Sequence, residues 1–471
     1  MEAECQLLAA TRGVVTAPAG CGKTHLIGSA LRSYTGTKPV LILTHTNAGV
    51  AAMRDRLQRA SVDTRKYRLS TIDGWLMRLI ATFPARSGHA PKLLDVRSPK
   101  NDYPEIRQRA LALLSAGHVS DVIRSSYAHL IVDEYQDCSV TQHRIMQHLT
   151  ALLPSCVLGD PMQAIFNFSE PVAHWDNEVR SHFQEHAYLT TPWRWRNAGA
   201  EPLGQWLLHV RGQLAQGRPI DIRQGPSKHV TWIATDAQQG AQRRLQAAST
   251  KPAVGDHRVL VIGDAMRVES RHMMAASTPG AVVVEAVDLK ELVAFAEKFT
   301  LTSASTEMLL TFAERMLTHS SANDMLRRIE TLSAGRARKP ANSAEQAALD
   351  FMATPSWDAA VKVLLALHEQ PQSRVVRPAI FFAAIKALRR TQTCQETFVE
   401  SAIAVREESR LFGRPLPKRG VGSTLLLKGL EAEVAVILEG DNLDRLNLYV
   451  AMTRGSMQLV VCSEDPVLGR H

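Results

Sequence analysis

Apolar residues first gather at Val14 and Val15, directly before the small-residue run APAGCGKT, and then recur at Leu26, Ile27, Ala30 and Leu31. The first cluster predicts a strand. The second, spaced by three and four residues, predicts a helix. Apolar runs at 40–43, 130–132 and 156–158 predict further strands, each separated from the next by helical patterns. Strand and helix in alternation predict an α/β fold built on a parallel sheet. HVTWIAT (229–235) and HRVLVIGD (257–264) predict strands of a second sheet, which resumes near residue 416 through AVILEGD and MQLVVCS. Between about 276 and 415 the pattern turns helical, as in MLLTFAERMLTHSSANDMLRRIETL. SAGRARKPANSAEQ, within that region, reads as a basic surface loop.

Composition narrows the function classes. Of 471 residues 45% are apolar, enough for several cores. Lys and Arg number 55 against 46 Asp and Glu, a net charge of +9, which suits a polyanionic partner or an ordinary basic enzyme equally. The six cysteines share no CxxC spacing and have no histidine cluster beside them, so a zinc site or disulfide framework is not expected. No apolar run reaches the ~18 residues of a membrane helix and the first residues lack a secretory pattern, so a cytoplasmic chain is expected.

The opening stretch carries chemistry. Strand, glycine loop and helix form the context of a phosphate-binding loop. Small residues from Ala17 through Pro18, Ala19, Gly20, Cys21 and Gly22 let backbone N–H groups curl around phosphate oxygens, and the following helix adds its positive end at Lys23, Thr24 and His25. Lys23 would reach the β- and γ-phosphates of ATP, and the Thr24 hydroxyl would ligate Mg2+. The alternative is a glycine-rich turn before a helix. AHLIVDEYQDCS then supplies an apolar strand ending in two carboxylates, Asp133 and Glu134. At the rim of a parallel sheet Asp133 would hold Mg2+, and Glu134 would deprotonate the attacking water.

With those two elements in place, the chain resembles the UvrD-like superfamily 1A helicases. VDEYQDCSVTQ, VLGDPMQAIFNF (157–168), LTTPWRWRN (189–197), STLLLKGLEAEVAVIL (423–438) and LYVAMTRGSMQLVV (448–461) follow that family's motif order. LTHTNAGVAAMRDRL (43–57) and STIDGWLMRL (70–79) resemble its DNA-contacting motifs. The resemblance implies two RecA-like P-loop lobes, the second interrupted by a helical subdomain. It implies that Gln163 senses the γ-phosphate and that Arg194 and Arg454, from the second lobe, act as arginine fingers. Trp193 would stack on the base, Gln6 read adenine, and Gly429 and Glu431 lie at the nucleotide, Glu431 on the ribose. The repeat WRWR leaves Trp195 and Arg196 as alternatives to Trp193 and Arg194. Thr44, Thr46, Asn47, Thr71 and Trp75 would contact single-stranded DNA, Trp75 as a stacking platform; cap or core roles are the alternative.

The chain also departs from the family. Leu425 and Asp73 stand where the family has histidines on its DNA-coupling side. Only 54 residues separate Trp75 from Leu130, a small insertion. The implied division is 1–187 for the first lobe with an insertion at about 76–128, 188–275 and 416–471 for the second, and 276–415 for the helical subdomain. The implied activity is DNA-dependent ATP hydrolysis with translocation on single-stranded DNA, 3′ to 5′ by family polarity, and unwinding. Short size and altered coupling residues also resemble the helicase-like subunit of the Gabija antiviral defence system. That likeness implies recognition of DNA ends and a nuclease partner of the OLD family. A P-loop NTPase with no nucleic-acid role is the third reading.

Overall fold

The computed structural model describes residues 6–96, 98–166, 170–252, 255–286, 288–412 and 417–470. Asn167 and Phe168, the last two residues of VLGDPMQAIFNF, lie outside them, as do Cys5 and the expected boundary at 415–416. The fold is α/β with two six-stranded sheets.

Fourteen strands occur in the described residues. Those of the first half are β1 (Arg12–Thr16), β2 (Val40–Thr44), β3 (Tyr67–Thr71), β4 (Leu130–Val132), β5 (Ser155–Gly159), β6 (Gln184–Tyr188) and β7 (Ile220–Asp221). They are followed by β8 (Val230–Ala234), β9 (Val259–Ile262), β10 (Val282–Val283), β11 (Arg419–Gly422), β12 (Ala432–Ile437), β13 (Gly455–Ser463) and β14 (Val467–Leu468). The first sheet has the order β3-β2-β4-β5-β1-β6, and every pairing in it is parallel. Its inner strands are buried on both sides, β2, β4 and β5 throughout, because helices cover both faces. Leu41 and Leu43 enter one core with Trp75, Leu130 and Val157, while Val40 and Ile42 enter the other with Ile27, Ile131 and Leu158. Successive side chains point to opposite faces, so one strand feeds two cores.

The second sheet has the order β10-β11-β9-β12-β13-β8, with β10, β11, β9 and β12 parallel. The chain leaves it after β10 and returns at β11, its direct neighbour. In between run helices from Lys290–Lys298 to Phe398–Phe412. These helices enclose their own core, from Leu289 to Val405, which no sheet residue among the described residues enters. The predicted helical interruption of the second lobe is therefore present.

Two compact units result. One comprises Met1–Trp232, Gly440–Leu459 and Asp465–His471; the other comprises Ile233–Glu439 and Val460–Glu464. Among the described residues no helix is long and apolar enough to cross a membrane.

Candidate nucleotide site

A parallel sheet places the carboxyl ends of its strands on one rim, where ligands of such sheets bind. In the first unit that rim gathers most of the residues singled out by sequence. β1 runs into Ala17–Gly22, and helix α1 (Lys23–Ser33) starts on the lysine. The turn needs left-handed backbone at Gly20 (φ +69) and Gly22 (φ +89). Space is short there too. A Cβ on Gly20 would lie 2.5 Å from the Trp195 ring, and one on Gly22 would lie 3.1 Å from Trp193. The loop is therefore a cradle of bare backbone, closed from one side by tryptophan.

β4 delivers Asp133 and Glu134. Asp133 is 7% exposed, and its Oδ1 accepts the Glu134 amide at 2.9 Å. Glu134 takes left-handed backbone (φ 56), unusual for a side-chain-bearing residue. Lys23 Nζ lies 3.1 Å from Glu134 Oε1 and donates to Oε2 at 3.2 Å. Burial works against the Lys23 charge, but Glu134, Asp133 and Asp160 outweigh it and hold its pKa above the usual lysine value. Burial first, and the Glu134 carboxylate next, push Asp133 up to about 6 against the pull of Lys23. Cys21, inside the loop, is pushed up to about 12 by burial and then by Asp160, so it is an inert thiol there.

β5 ends in Gly159, and Gln163 follows in a short turn. Gln163 is buried, and its Nε2 donates to Asp160 Oδ2 at 3.1 Å. Gln136, from the DEYQD segment, bridges the two strand ends. Its Nε2 donates to Glu134 Oε2 at 2.6 Å, and its Oε1 accepts the Asp160 amide at 3.0 Å.

The two halves of WRWR part in space. Trp193 is 44% exposed beside Gly22, whereas Trp195 is buried and donates from Nε1 to Gly455 O at 2.9 Å. The Arg194 amide donates to Gly20 O at 3.0 Å, and its Nη1 donates to Thr453 O at 2.7 Å. Arg196 turns to Glu201 instead. Arg194 and Arg454 both fall in the first compact unit, and Arg454 directly precedes β13, a strand of the second sheet. Arg454 is buried, with Nε on Val450 O at 2.8 Å. Gly429 (φ +81) and Glu431 lie in the second unit, just before β12. Gln6 is exposed; its carbonyl faces His186 Nε2 at 3.3 Å. His25 is exposed in the first turn of α1.

The expected DNA contacts divide. Thr46 caps helix α2 (Asn47–Arg59) by accepting the Gly49 amide, and it and Asn47 are exposed. Thr71 caps helix α3 (Ile72–Thr82) by accepting the Gly74 amide. Two expectations need correction. Trp75 is 5% exposed, with Nε1 donating to Tyr127 Oη, so its ring is core and offers no stacking face. Thr44, at 2% exposure, is likewise closed off beneath the start of α2. Asp73 is engaged internally: Arg107 Nε and Nη2 grip its two oxygens at 2.8 and 2.7 Å, and Gln142 Nε2 donates to it at 3.3 Å.

Three residues at the site were not picked out by sequence. Tyr449 is fully buried and its hydroxyl accepts the loop amide of Ala19 at 3.1 Å. It stands inside the quoted LYVAMTR segment, which was the available signal. Arg56 Nη1 donates to Thr24 Oγ1 at 2.7 Å. Arg211, in the helix Glu201–Ala215, pairs with Asp160.

The donor set fits a nucleoside triphosphate with Mg2+: a bare-backbone cradle, a lysine and an arginine for phosphate oxygens, and a hydroxyl and a carboxylate for a hard cation. Asp133 also yields a prediction for the metal-free chain. An acid whose folded pKa is raised favours folding below its ordinary value of 3.8, and that contribution is lost as pH rises through about 6. Asp133→Asn should therefore match the parent near pH ~4 and exceed it by about 1–3 kcal/mol above pH ~7. Urea melts at both pH values check this; equal midpoints at the higher pH would show that Lys23 already balances the buried charge.

Comparison with known proteins gives three findings. Residues 2–169 match a family model described as an AAA domain. No curated protein matches the chain. Among solved structures the chain is similar to arterivirus nonstructural protein 10, a helicase in complex with DNA, at 10% identity and a TM-score of 0.36. The likeness covers 98% of this chain and 62% of that one, under two thirds of its length.

Proposed function

We propose that this chain is an ATPase of helicase type, stimulated by nucleic acid. The observation that carries the reading is the gathering of Lys23, Thr24, Asp133, Glu134, Gln163 and Arg194 around one glycine cradle at one sheet rim. The AAA-domain match over residues 2–169 supports it. The finer reading is the UvrD-like class: translocation on single-stranded DNA, 3′ to 5′, with duplex unwinding. The four-part division at 187, 275 and 415 belongs to that reading.

In this mechanism backbone amides of the loop and Lys23 bind the phosphates, and Lys23 leaves Glu134 to do so. The freed Glu134 carboxylate takes the proton of the attacking water. Arg194 and Arg454 offset charge gathering on the transferred phosphoryl group. Trp193, half exposed over Gly22, offers a face for the base. Mg2+, held by Thr24 and Asp133, would screen the phosphate charge when bound. Thr46 and Asn47, exposed at the start of α2, would hold strand phosphates without reading sequence.

The test is steady-state ATP hydrolysis with and without single-stranded DNA, with Glu134→Gln alongside. Several-fold stimulation that disappears in the variant supports a DNA-driven ATPase. A rate indifferent to DNA returns the chain to a P-loop NTPase without a nucleic-acid role. A second reading is an ATPase subunit that senses DNA ends beside a nuclease partner. It is favoured by Asp73, which stands at a coupling position yet is held by Arg107. Processive unwinding by the isolated chain would count against it.

A further inference from the structure

Asp160 is fully buried at the carboxyl end of β5. Its Oδ1 accepts Arg211 Nε at 2.9 Å, Arg211 Nη2 at 2.7 Å and the Met162 amide at 3.2 Å. Its Oδ2 accepts the Gln163 side-chain amide at 3.1 Å. Arg211 is itself 8% exposed in its side chain, and its Nη1 donates to Tyr188 Oη at 2.7 Å. Burial opposes the Arg211 charge, but Asp160 more than restores it and holds its pKa above the usual arginine value.

A buried ion pair is a poor device for stability, because well-packed apolar residues of the same volume serve as well or better. Its strength is directional. Bonds to charged groups are about twice as strong as neutral ones, so they fix a group's position where packing alone leaves it free. Here the fixed group is the carboxylate that holds Gln163. The backbone amide of Asp160 also joins it, through Gln136, to Glu134 and so to Lys23. Arg211 sits one turn-and-helix beyond Trp193–Asn197, the segment that carries Arg194. One ion pair thus sets the Gln163 turn against the Arg194 segment.

We propose that Arg211 is a positioning residue for ATP hydrolysis. Acting through Asp160, it fixes the Gln163 amide and so governs the chemical step rather than nucleotide binding. This rests on the ATPase reading above.

The experiment uses the full chain and measures kcat and KM for ATP, the Kd of a fluorescent ATP analogue, and Tm. The variants are Arg211→Met, Arg211→Lys, Tyr188→Phe, Gln163→Ala and the Gln163→Ala/Arg211→Met pair, with Glu134→Gln as the hydrolysis control. Arg211→Met should lower kcat about tenfold or more with KM and Kd within about twofold, since groups sharing one network couple strongly. Arg211→Lys should recover part of the loss. Gln163→Ala should lower kcat comparably, and the pair should fall no further than the worse single variant. Tyr188→Phe removes one Arg211 acceptor at a half-exposed position and spares the ion pair. It should lower kcat a few-fold with Tm unchanged, and it decides the matter if Arg211→Met does not fold. Unchanged kcat in folded variants, parallel losses in Kd, or fully multiplying effects of Gln163 and Arg211 would overturn the proposal. A parent chain with no Glu134-dependent hydrolysis would instead remove the ATPase reading, and this proposal with it.

Discussion

Glu134→Gln should lower ATP hydrolysis by about 10²–10⁴-fold, the range that a general base contributes. The change keeps the side-chain shape and one acceptor for Gln136, so the network around Asp160 should stand. What it removes is the proton acceptor and the carboxylate that holds Lys23. Freed of that partner, Lys23 meets phosphate without first breaking an ion pair. Binding of a fluorescent ATP analogue should therefore hold or tighten while turnover collapses. Pre-steady-state hydrolysis and equilibrium titration separate the two effects. Turnover within about threefold of the parent would assign the proton transfer elsewhere.

Arg194→Ala should cost about 10³-fold or more in kcat, in line with the loss of an arginine finger. Its neighbour provides the internal comparison. Arg196 pairs with Glu201 at the surface and lies over the Trp193 ring, so Arg196→Ala should act on KM and leave kcat within about twofold. The two arginines sit two residues apart in one short helix, so a general loss of local structure would affect both. Arg194 also donates to Thr453 O, and losing one such bond costs about 1 kcal/mol of stability, far below the kinetic effect. A kcat loss shared equally by both variants would sink the assignment of Arg194 to the nucleotide.

The predicted strands of the first sheet share one property: each centres on a run of apolar residues in a buried position, whereas β8 of the second sheet is only half-buried. Val40–Leu43 and Leu130–Val132 are buried throughout, so nothing but a covered sheet suits them. β6 was invisible for the opposite reason. Gln184–Tyr188 is an edge strand, mostly exposed, and its pairing with β1 is made by backbone groups that leave no mark on composition. β11, Arg419–Gly422, is legible only as a turn-like sequence, yet it lies inside the second sheet. The glycine loop and the two carboxylates at the sheet rim were legible because particular residue types stand there in sequence-adjacent positions. Arg211 was not, because a single arginine in a helix carries no local pattern. Only the fold brings it to Asp160, 51 residues away in the chain. Trp75 went the other way: an aromatic in a segment that resembles a DNA-contacting motif looks like a platform, but α3 turns that position inward against Leu41 and Leu43.

The composition of the first compact unit bears on how the chain is made. Its loop amide at Ala19 is met by Tyr449, and Trp195 is anchored on Gly455. These partners come from Gly440–Leu459, after the whole of Ile233–Glu439 has intervened. A ribosome adding about 5–20 residues per second needs roughly 10–40 s to traverse that stretch. During that interval the first sheet is already synthesised, while the tyrosine and the backbone carbonyl that complete its rim do not yet exist. Capture of nucleotide by the nascent chain should therefore lag far behind formation of the first sheet. Chains stalled before residue 440 should be the ones that need chaperones.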